Sequence, residues 1–422
     1  MPSVPRFPLQ PILLLLSLLP AVTSAQTPAA RVLADVRYLA DDRLEGRLTG
    51  SPGADSAAAY IARRFAEAGL SPGPDGWFQD FTVSPDAPAA RHAPVGGARG
   101  RNVVGLLRGS DPKLRDEFVV LGAHYDHLGK GGAFALDPDS TGAVHNGADD
   151  NASGTAALIE IASRLSRRPP GRSVTFVAFG GEELGLLGSA YYVREAASAS
   201  RTALMLNLDM VGRLRNDKLV VYGTGSATEL QPLLDSLNRS AGFDLASRPD
   251  GYGPSDQSSF YAAGIPVLHF FTNVHEDYHR STDDWQKIDA TGLERIAGFA
   301  ADVATAVANR PSRLTFVPLP VTAHGGSATG TGGYGAYLGT VPDMSGTDSG
   351  VRLAGVRAGS PAEKAGLRPN DVITKIGDYE VPDLEAMTGA LRSHKPGDTV
   401  EIVVRRDGTL ITLTATLGNR GS

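Results

Sequence analysis

Residues 118–127 read FVVLGAHYDH, an apolar run that ends in a cluster of polar side chains. The apolar part, Phe118 to Ala123, predicts a buried β-strand. Similar runs recur at Ser173 to Phe179, Ala203 to Leu208, Leu219 to Tyr222 and Val267 to Phe271. Helical patterns lie between them, as in Gly154 to Leu165. We therefore predict an α/β fold, with a mostly parallel central sheet flanked by helices.

Side chains that can bind metal follow these predicted strands. His124 and Asp126 come after the first run, Glu182 and Glu183 follow the second in FGGEELG, and Asp209 closes the third. Two loops, NGADDNASG (146–154) and VHEDYHRSTDDW (274–285), add further candidates: Asp149, Asp150, His275, Glu276, Tyr278 and His279. Ligands of open parallel sheets collect at the carboxyl ends of the strands. The sequence thus predicts a polar site at that edge.

Each of these signals alone has a structural explanation. Acids in a GGEE turn are favoured at a helix N-terminus, a lone histidine after a strand often makes a structural hydrogen bond, and Asp-rich loops form turns. Their combination at successive strand ends indicates a metal site instead. The chain contains no cysteine, so any metal must be bound by His, Asp and Glu. That donor set is typical of catalytic rather than structural zinc.

The order of these residues resembles that of the co-catalytic di-zinc aminopeptidases, the family of secreted bacterial leucyl aminopeptidases and aminopeptidase Y. The resemblance covers residues 30–310 and includes LADDRLEGRLTGSPG (39–53) and GRNVVGLLRG (100–109). It implies two zinc ions per chain. In the implied arrangement His124 and Asp209 bind one zinc, Glu183 and His279 bind the other, and Asp150 bridges the two.

The same resemblance implies roles for three more residues. Glu182 would be the general base that activates a water shared by the zinc ions, and Asp126 would orient His124. Tyr278 would polarise the substrate carbonyl. Asp149 is not implied as a ligand, because the DNxSG pattern begins at Asp150. The implied activity is the hydrolysis of N-terminal residues from peptides with a free N-terminus.

Other functions share these features. Glutaminyl cyclases have the same fold and most of the same ligands, and some relatives are carboxypeptidases, so the ligand set does not separate these activities. Gln257, in GPSDQSSFYAAGIPVLHF (253–270), stands where many relatives have histidine, which concerns the substrate pocket. A rival of a different class is a catalytically inactive protein that binds peptides through its C-terminal region.

That region begins after a flexible linker, predicted over residues 313–335, with the Gly-rich stretch HGGSATGTGGYG at 324–335. Residues 336–419 resemble a PDZ domain, in AYLG (336–339) and SPAEKAGLRPNDVITKIG (360–377). The resemblance implies that a C-terminal peptide binds by strand addition, its carboxylate held by backbone N–H groups near the loop of Tyr337, Leu338 and Gly339. Substrate holding, partner docking and simple stabilisation all stay open as roles for this domain.

The first 25 residues have the pattern of a secretory signal peptide. Arg6 precedes an apolar stretch from Ile12 to Leu19, and small residues end the segment at Ala25. We expect cleavage there, which leaves residues 26–312 as a peptidase domain and an exported protein, periplasmic or extracellular. No later segment resembles a membrane span. The net charge of −6 argues against nucleic acid or an anionic membrane as the main partner.

Overall fold

The computed structural model describes Met1 and residues 26–83, 95–131, 135–137, 140, 142–251, 253, 255–318, 336–342, 349–356, 359–382 and 384–418. The predicted signal peptide beyond Met1 and residues 319–335 of the predicted linker lie outside the described residues. The largest apolar core of residues 32–314 contains no residue of the C-terminal region, and the core of residues 336–417 contains none of the earlier residues, within the described parts of both. The two units are therefore considered in turn.

A β-sheet forms the centre of the larger unit. Its strands are β1 (Ser71–Pro72), β2 (Phe78–Thr82), β3 (Arg99–Leu107), β4 (Phe118–His124), β5 (Ser173–Phe179), β6 (Thr202–Leu208), β7 (Lys218–Tyr222), β8 (Asp244–Ser247) and β9 (Val267–Phe271). They lie in the order β1-β3-β5-β4-β6-β9-β7-β8, and β2 also pairs with β3. The strand runs predicted from the sequence are confirmed within one residue at each end.

The central strands run in the same direction. Strand β4 pairs in parallel with both β5 and β6, and β6 pairs in parallel with β9. The neighbours on either side, β3 against β5 and β7 against β9, are antiparallel. The predicted parallel sheet is thus found at the centre, and the outer strands make the sheet as a whole mixed.

Helices cover both faces of this sheet. They are α1 (Pro28–Leu39), α2 (Pro52–Glu67), α3 (Gly154–Ser166), α4 (Leu187–Glu195), α5 (Leu230–Ala241), α6 (Gln257–Ala262) and α7 (Ala290–Ala308). Successive residues of β4 face opposite sides, because side chains alternate along a strand. Leu121 packs with α1, α2, α3 and α7, whereas Val120 packs with residues of α4 and α6. Within the described residues, no helix combines the length and the apolar character needed to cross a bilayer.

Local signals explain where the first two helices begin. The side chain of Thr27 accepts a hydrogen bond from the backbone N–H of Ala30, and Ser51 does the same for Ala54. Both caps are followed directly by proline, which is favoured at the first helical position. These caps fix the two ends of the segment that connects α1 to α2, which contains the LEGRLTG sequence.

The smaller unit is a second, mainly antiparallel sheet. Its elements are β10 (Thr340–Pro342), β11 (Val351–Val356), α8 (Pro361–Lys364), β12 (Val372–Ile376), β13 (Tyr379–Glu380), α9 (Leu384–Ser393), β14 (Thr399–Arg406) and β15 (Thr409–Thr416). The strand order is β10-β11-β12-β14-β15, with β13 against β12. Leu353, Ile373 and Ile402 are fully buried in its core. The predicted β-rich C-terminal domain is confirmed.

Candidate metal centre

The central strands end together at one edge of the sheet. In the parallel register His124, the last residue of β4, lies opposite Phe179, the last residue of β5. Strand β6 ends at Leu208, so Asp209 leaves the sheet at the same edge. The sheet thus brings together three chain segments that the sequence had marked as sources of metal ligands.

The five predicted ligands meet at this edge. Nε2 of His124 lies 3.3 Å from Oδ1 of Asp209 and 3.3 Å from Oδ1 of Asp150. Nε2 of His279 lies 3.3 Å from Oδ2 of Asp150 and 3.1 Å from Oε2 of Glu183. One carboxylate, that of Asp150, therefore faces a different histidine with each of its oxygens.

The donor set fits zinc. Two ligands of a tetrahedral zinc, at bond lengths of about 2.0–2.1 Å, lie about 3.3 Å apart, which matches the separations of these nitrogens and oxygens. Oδ2 of Asp150 is buried and makes no well-formed hydrogen bond with any described residue, although Nε2 of His279 lies 3.3 Å from it. A buried carboxylate oxygen without such a partner is costly unless a cation binds it. The arrangement thus has the atoms and the spacing of a metal site.

The loop that carries Asp150 needs specific residues on both sides. Gly147 has φ +53°, and a Cβ atom there would lie 2.1 Å from the carbonyl oxygen of Asp150, so only glycine fits. The side chain of Asn151 donates to the carbonyl of Leu208 at 2.9 Å and accepts from the N–H of Met210 at 3.2 Å. This amide therefore holds the Asp150 loop against the loop that carries Asp209.

The other member of the acidic pair points elsewhere. Oδ2 of Asp149 contacts Nε2 of His275 at 3.1 Å, and its Oδ1 accepts from the backbone N–H of Gly212 at 2.6 Å. Its carboxylate is fully buried in those contacts. The choice of Asp150 over Asp149 as the candidate ligand agrees with this geometry.

Asp126 contacts more than one part of the site. Nδ1 of His124 lies 3.2 Å from the backbone carbonyl oxygen of Asp126 and 3.9 Å from its carboxylate. The carboxylate itself accepts from the N–H of Glu182 at 3.2 Å and from the hydroxyl of Thr49 at 2.9 Å. The shorter contact to the ring thus comes from the main chain of Asp126, while its side chain holds the backbone of Glu182.

Glu182 has the environment of a general base. Its carboxylate approaches Nε2 of His124 to 3.9 Å. Burial raises the pKa of Glu182 well above the usual range, and the charges of Glu183 and Asp209 raise it further, against the opposing effect of His124. A carboxylate with a raised pKa is a better proton acceptor than an ordinary glutamate.

The ligand carboxylates show the opposite shift. Burial disfavours the charged form of Glu183, but His279 and His127 together outweigh this effect and lower the pKa of Glu183 to about 2. The pKa of Asp150 is likewise well below its usual range despite burial, because His124 and His279 flank it. Both groups are therefore anionic at neutral pH, as metal ligands must be.

Tyr278 stacks on the ring of His279, with ring centroids 3.9 Å apart. Burial raises the pKa of its phenol well above the usual range, and the neighbouring charges of Asp150 and Glu183 raise it further. The hydroxyl thus keeps its proton at neutral pH and can donate a hydrogen bond, which is the property that the implied role requires.

Gln257 is buried rather than exposed in a pocket wall. Its Oε1 accepts from Nδ2 of Asn207 at 3.2 Å, and the same amide nitrogen contacts Ser255 and His269. Burial raises the pKa of the adjacent Asp256 to about 7. The departure at position 257 therefore lies in a buried polar cluster next to the site.

Several residues of the site were missed from the sequence. Nδ1 of His127 lies 2.8 Å from Oε1 of Glu183, and His127 is fully buried. Asp283 accepts from the backbone N–H of Asp150, and Arg213 binds Asp283. His127 follows His124 by three residues in GAHYDH, a signal that was present in the sequence. Asp283 lies in the VHEDYHRSTDDW stretch but was not singled out within it, and Arg213 lies in a loop that no sequence pattern marked.

Two family models match this chain. Residues 102–304 match the model of peptidase family M28, and residues 337–417 match that of the PDZ domain. The chain carries a peptidase family M28 domain followed by a PDZ domain. Among curated relatives of the M28 domain, aminopeptidase YwaD of Bacillus subtilis is 32% identical over 217 residues, which are 49% of this chain and 43% of the relative. The chain spans about half the length of the curated relatives that it matches.

Solved structures share the fold of the M28 domain. BSAP, a zinc aminopeptidase from Bacillus subtilis, has a TM-score of 0.54 at 18% identity, and the match covers 67% of this chain and 96% of that one. Glutaminyl cyclase of Porphyromonas gingivalis has a TM-score of 0.53 at 18% identity, with 65% and 96% covered. At this identity the similarity shows the fold alone, so it does not separate the two activities.

Proposed function

We propose that the protein is an exported zinc-dependent aminopeptidase, with two zinc ions per chain, that removes N-terminal residues from peptides with a free N-terminus. The observation that carries the proposal is the position of Asp150. Its two oxygens face His124 and His279 separately, and each histidine has a second carboxylate beside it. A shared carboxylate between two donor sets is what a pair of metal ions about 3.5–4 Å apart requires.

The chain's own residues supply the remaining functions. When bound, the zinc ions would lower the pKa of a shared water and polarise the scissile carbonyl. Glu182, whose pKa is raised by burial, accepts a proton from the attacking water and returns it to the departing amine. Tyr278, which keeps its phenol proton, donates a hydrogen bond to the substrate carbonyl. Asp126 holds the backbone of Glu182 in place.

The PDZ domain gives the proposal a second part. We expect the loop at Tyr337, Leu338 and Gly339 to bind a C-terminal carboxylate through the backbone N–H groups of Leu338 and Gly339, as the PDZ match supports. The N–H of Tyr337 donates instead to the carbonyl oxygen of Gly418 at 2.8 Å. A peptide held there is an extended chain whose other end is a free N-terminus. The M28 domain and the PDZ domain thus select opposite ends of a peptide.

A glutaminyl cyclase is the second candidate, because a solved cyclase shares the fold to nearly the same extent. Cyclisation and peptide hydrolysis differ in their products, so one measurement separates them. Purified protein is incubated with a peptide set that contains free and blocked termini, and the products are identified by mass spectrometry. Stepwise loss from free N-termini alone supports the aminopeptidase.

Each other result of that experiment favours a different function. Ammonia release from N-terminal glutamine indicates a cyclase, and loss from the C-terminus indicates a carboxypeptidase. No product, with zinc bound, indicates a protein whose function is peptide binding by its PDZ domain. A Glu182→Gln variant is the control for contaminating peptidases, since it should bind zinc and show almost no turnover.

A further inference from the structure

Arg47, in the LEGRLTG segment, is one of the largest side chains that the fold buries completely, with 1% of its surface exposed. Its guanidinium donates only to backbone carbonyl oxygens: those of Tyr125 at 2.6 Å, Asn146 at 2.7 Å, Gly147 at 3.0 Å, and Leu39. No carboxylate in the described part of the chain forms an ion pair with it. A buried cation bound in this way is unusual, because buried charges are normally paired.

Three of the four carbonyls belong to the loops of the metal centre. Tyr125 directly follows His124 at the end of β4. Asn146 and Gly147 lead into the loop that carries Asp150. The planar guanidinium therefore links the backbone next to His124 to the backbone that leads to Asp150, two segments about 20 residues apart in the sequence.

The backbone around Arg47 is strained to allow this contact. Arg47 has φ +50° and Glu45 has φ +47°, in the left-handed region that non-glycine residues rarely adopt. Such conformations are energetically unfavourable and persist where the surroundings impose them. Gly46 lies between them, and a Cβ there would be 2.3 Å from the carbonyl oxygen of Gly129. The segment is thus pressed closely against the loop that follows β4.

The charge of Arg47 also faces the centre. Burial lowers its pKa to about 10, and the nearby carboxylates of Asp126, Asp150, Asp283 and Glu183 oppose that effect. The guanidinium is therefore still cationic at neutral pH. It places a fixed positive charge behind a group of carboxylates that repel one another, without occupying any of their oxygens.

We propose that Arg47 is a positioning residue of the metal centre, which joins the His124 loop to the Asp150 loop and holds them at the separation that metal binding needs. The proposal rests on the two-zinc function proposed above. Lysine cannot replace the guanidinium, since a single ammonium has three donors and cannot bind all four carbonyl oxygens.

The test compares Arg47→Lys and Arg47→Met with the same changes at Arg43. Arg43 lies in the same segment, its side chain is 78% exposed, and Asp41 is its one ion-pair partner among the described residues, so its variants are matched controls. Zinc dissociation constants are measured by competition with a chelator, together with kcat, KM and the melting temperature with and without zinc. We expect Arg47→Lys to weaken zinc binding by about 10–100-fold and to lower kcat more than it raises KM. The Arg43 variants should match the wild type.

The outcomes separate a positioning role from a purely structural one. If the Arg47→Lys variant folds only when zinc is added, the proposal is supported, because zinc binding then compensates for the lost contacts of the guanidinium. Wild-type zinc affinity and kcat in Arg47→Lys, with an equal fall in melting temperature with and without zinc, would overturn it. Failure to fold even with zinc would also count against it, since Arg47 would then serve the whole fold. A wild-type chain that binds no zinc would refute the proposed function itself.

Discussion

The carboxylate of Asp283 accepts a hydrogen bond from the backbone N–H of Asp150 at 3.0 Å. The same oxygen accepts from the N–H of Asp149 at 2.8 Å, and the other oxygen binds Arg213 at 2.9 Å. Asp283 is completely buried and lies four residues after His279 in the chain. One carboxylate thus joins the loop of the shared ligand to the loop that carries the second histidine.

We predict that Asp283→Asn weakens zinc binding by about 10–100-fold and lowers the melting temperature. The asparagine amide is neutral, so the charge-assisted hydrogen bond from Arg213 is lost. The amide also has one acceptor oxygen instead of two, so it cannot accept from Arg213 and from the backbone N–H groups with separate oxygens as the carboxylate does. Zinc affinity by chelator competition and thermal unfolding measure the two effects. Asp302→Asn, at an exposed position of α7, is the control and should change neither. Unaltered zinc affinity in Asp283→Asn would show that this contact does not position the ligand.

Adjacent residues Glu182 and Glu183 should respond differently to the same substitution. Glu182→Gln removes the proton acceptor but no predicted ligand, so kcat should fall by about 10²–10⁴-fold while the zinc content stays at the wild-type value. Glu183→Gln removes an anionic ligand and should lose zinc as well as activity. Elemental analysis of both variants, together with initial rates on an amino-acid amide, measures the contrast. Equal zinc loss in the two variants would contradict the assignment of Glu182 as the base.

The sequence predicted the position of a candidate ligand well where that residue lies at the end of a strand. His124 and Asp209 lie at the ends of β4 and β6, and parallel strands with buried sides fix where those ends meet. The preference for Asp150 over its neighbour came from the family pattern rather than from physics. Both aspartates are buried in one loop, and only the folded backbone turns one inward and the other towards His275.

The supporting contacts could not be predicted in the same way. Asp283 binds backbone N–H groups more than 130 residues earlier, and Arg47 binds carbonyls about 80 and 100 residues later. Backbone groups are identical at every position, so the sequence has no signal for which of them a buried side chain will bind. Asp126 illustrates the same limit, because its carboxylate holds Glu182 while its own carbonyl makes the shorter contact to His124.

The stability of the PDZ domain should depend on an ion pair between Asp371 and Arg406. The guanidinium binds both carboxylate oxygens, at 2.7 and 2.8 Å. Burial opposes ionisation, but the bonds from Arg406 outweigh it and lower the pKa of Asp371. The pair therefore stabilises the folded state above the unfolded pKa of about 3.9, and this contribution is lost as the pH falls through the lower folded value.

Asp371→Asn should accordingly destabilise this domain by about 1–3 kcal/mol at neutral pH, and the difference from wild type should shrink below about pH 4. Both tryptophans, Trp77 and Trp285, lie outside the PDZ domain, so tryptophan fluorescence does not report on that domain. Hydrogen exchange of peptides from β12 and β14 at each pH measures the effect instead. Asp378→Asn, at an exposed position without a described ion pair, is the control. A difference that stays constant with pH would exclude the ion pair as the cause.

Removal of residues 336–422 should leave the hydrolysis of a small amino-acid amide unchanged. The core of the M28 domain contains no residue from the PDZ domain, and the PDZ core contains none from the M28 domain, within the described parts of both. All candidate ligands, the proposed base Glu182 and the contacts of Asp283 also lie before residue 310. A long peptide differs from the amide because its C-terminus can bind the loop at Tyr337, Leu338 and Gly339, so KM for long peptides should rise in the truncated protein.

The comparison that decides this point uses one peptide in two forms. A free C-terminal carboxylate fits the backbone N–H groups of the PDZ loop, whereas a C-terminal amide lacks the charge that they bind. The full-length protein should therefore favour the free acid over the amide through a lower KM, and the truncated protein should treat both alike. A fall in kcat on the small substrate after truncation would show instead that the PDZ domain supports the M28 site itself. Equal KM values for the two forms in the full-length protein would remove peptide capture as the role of this domain.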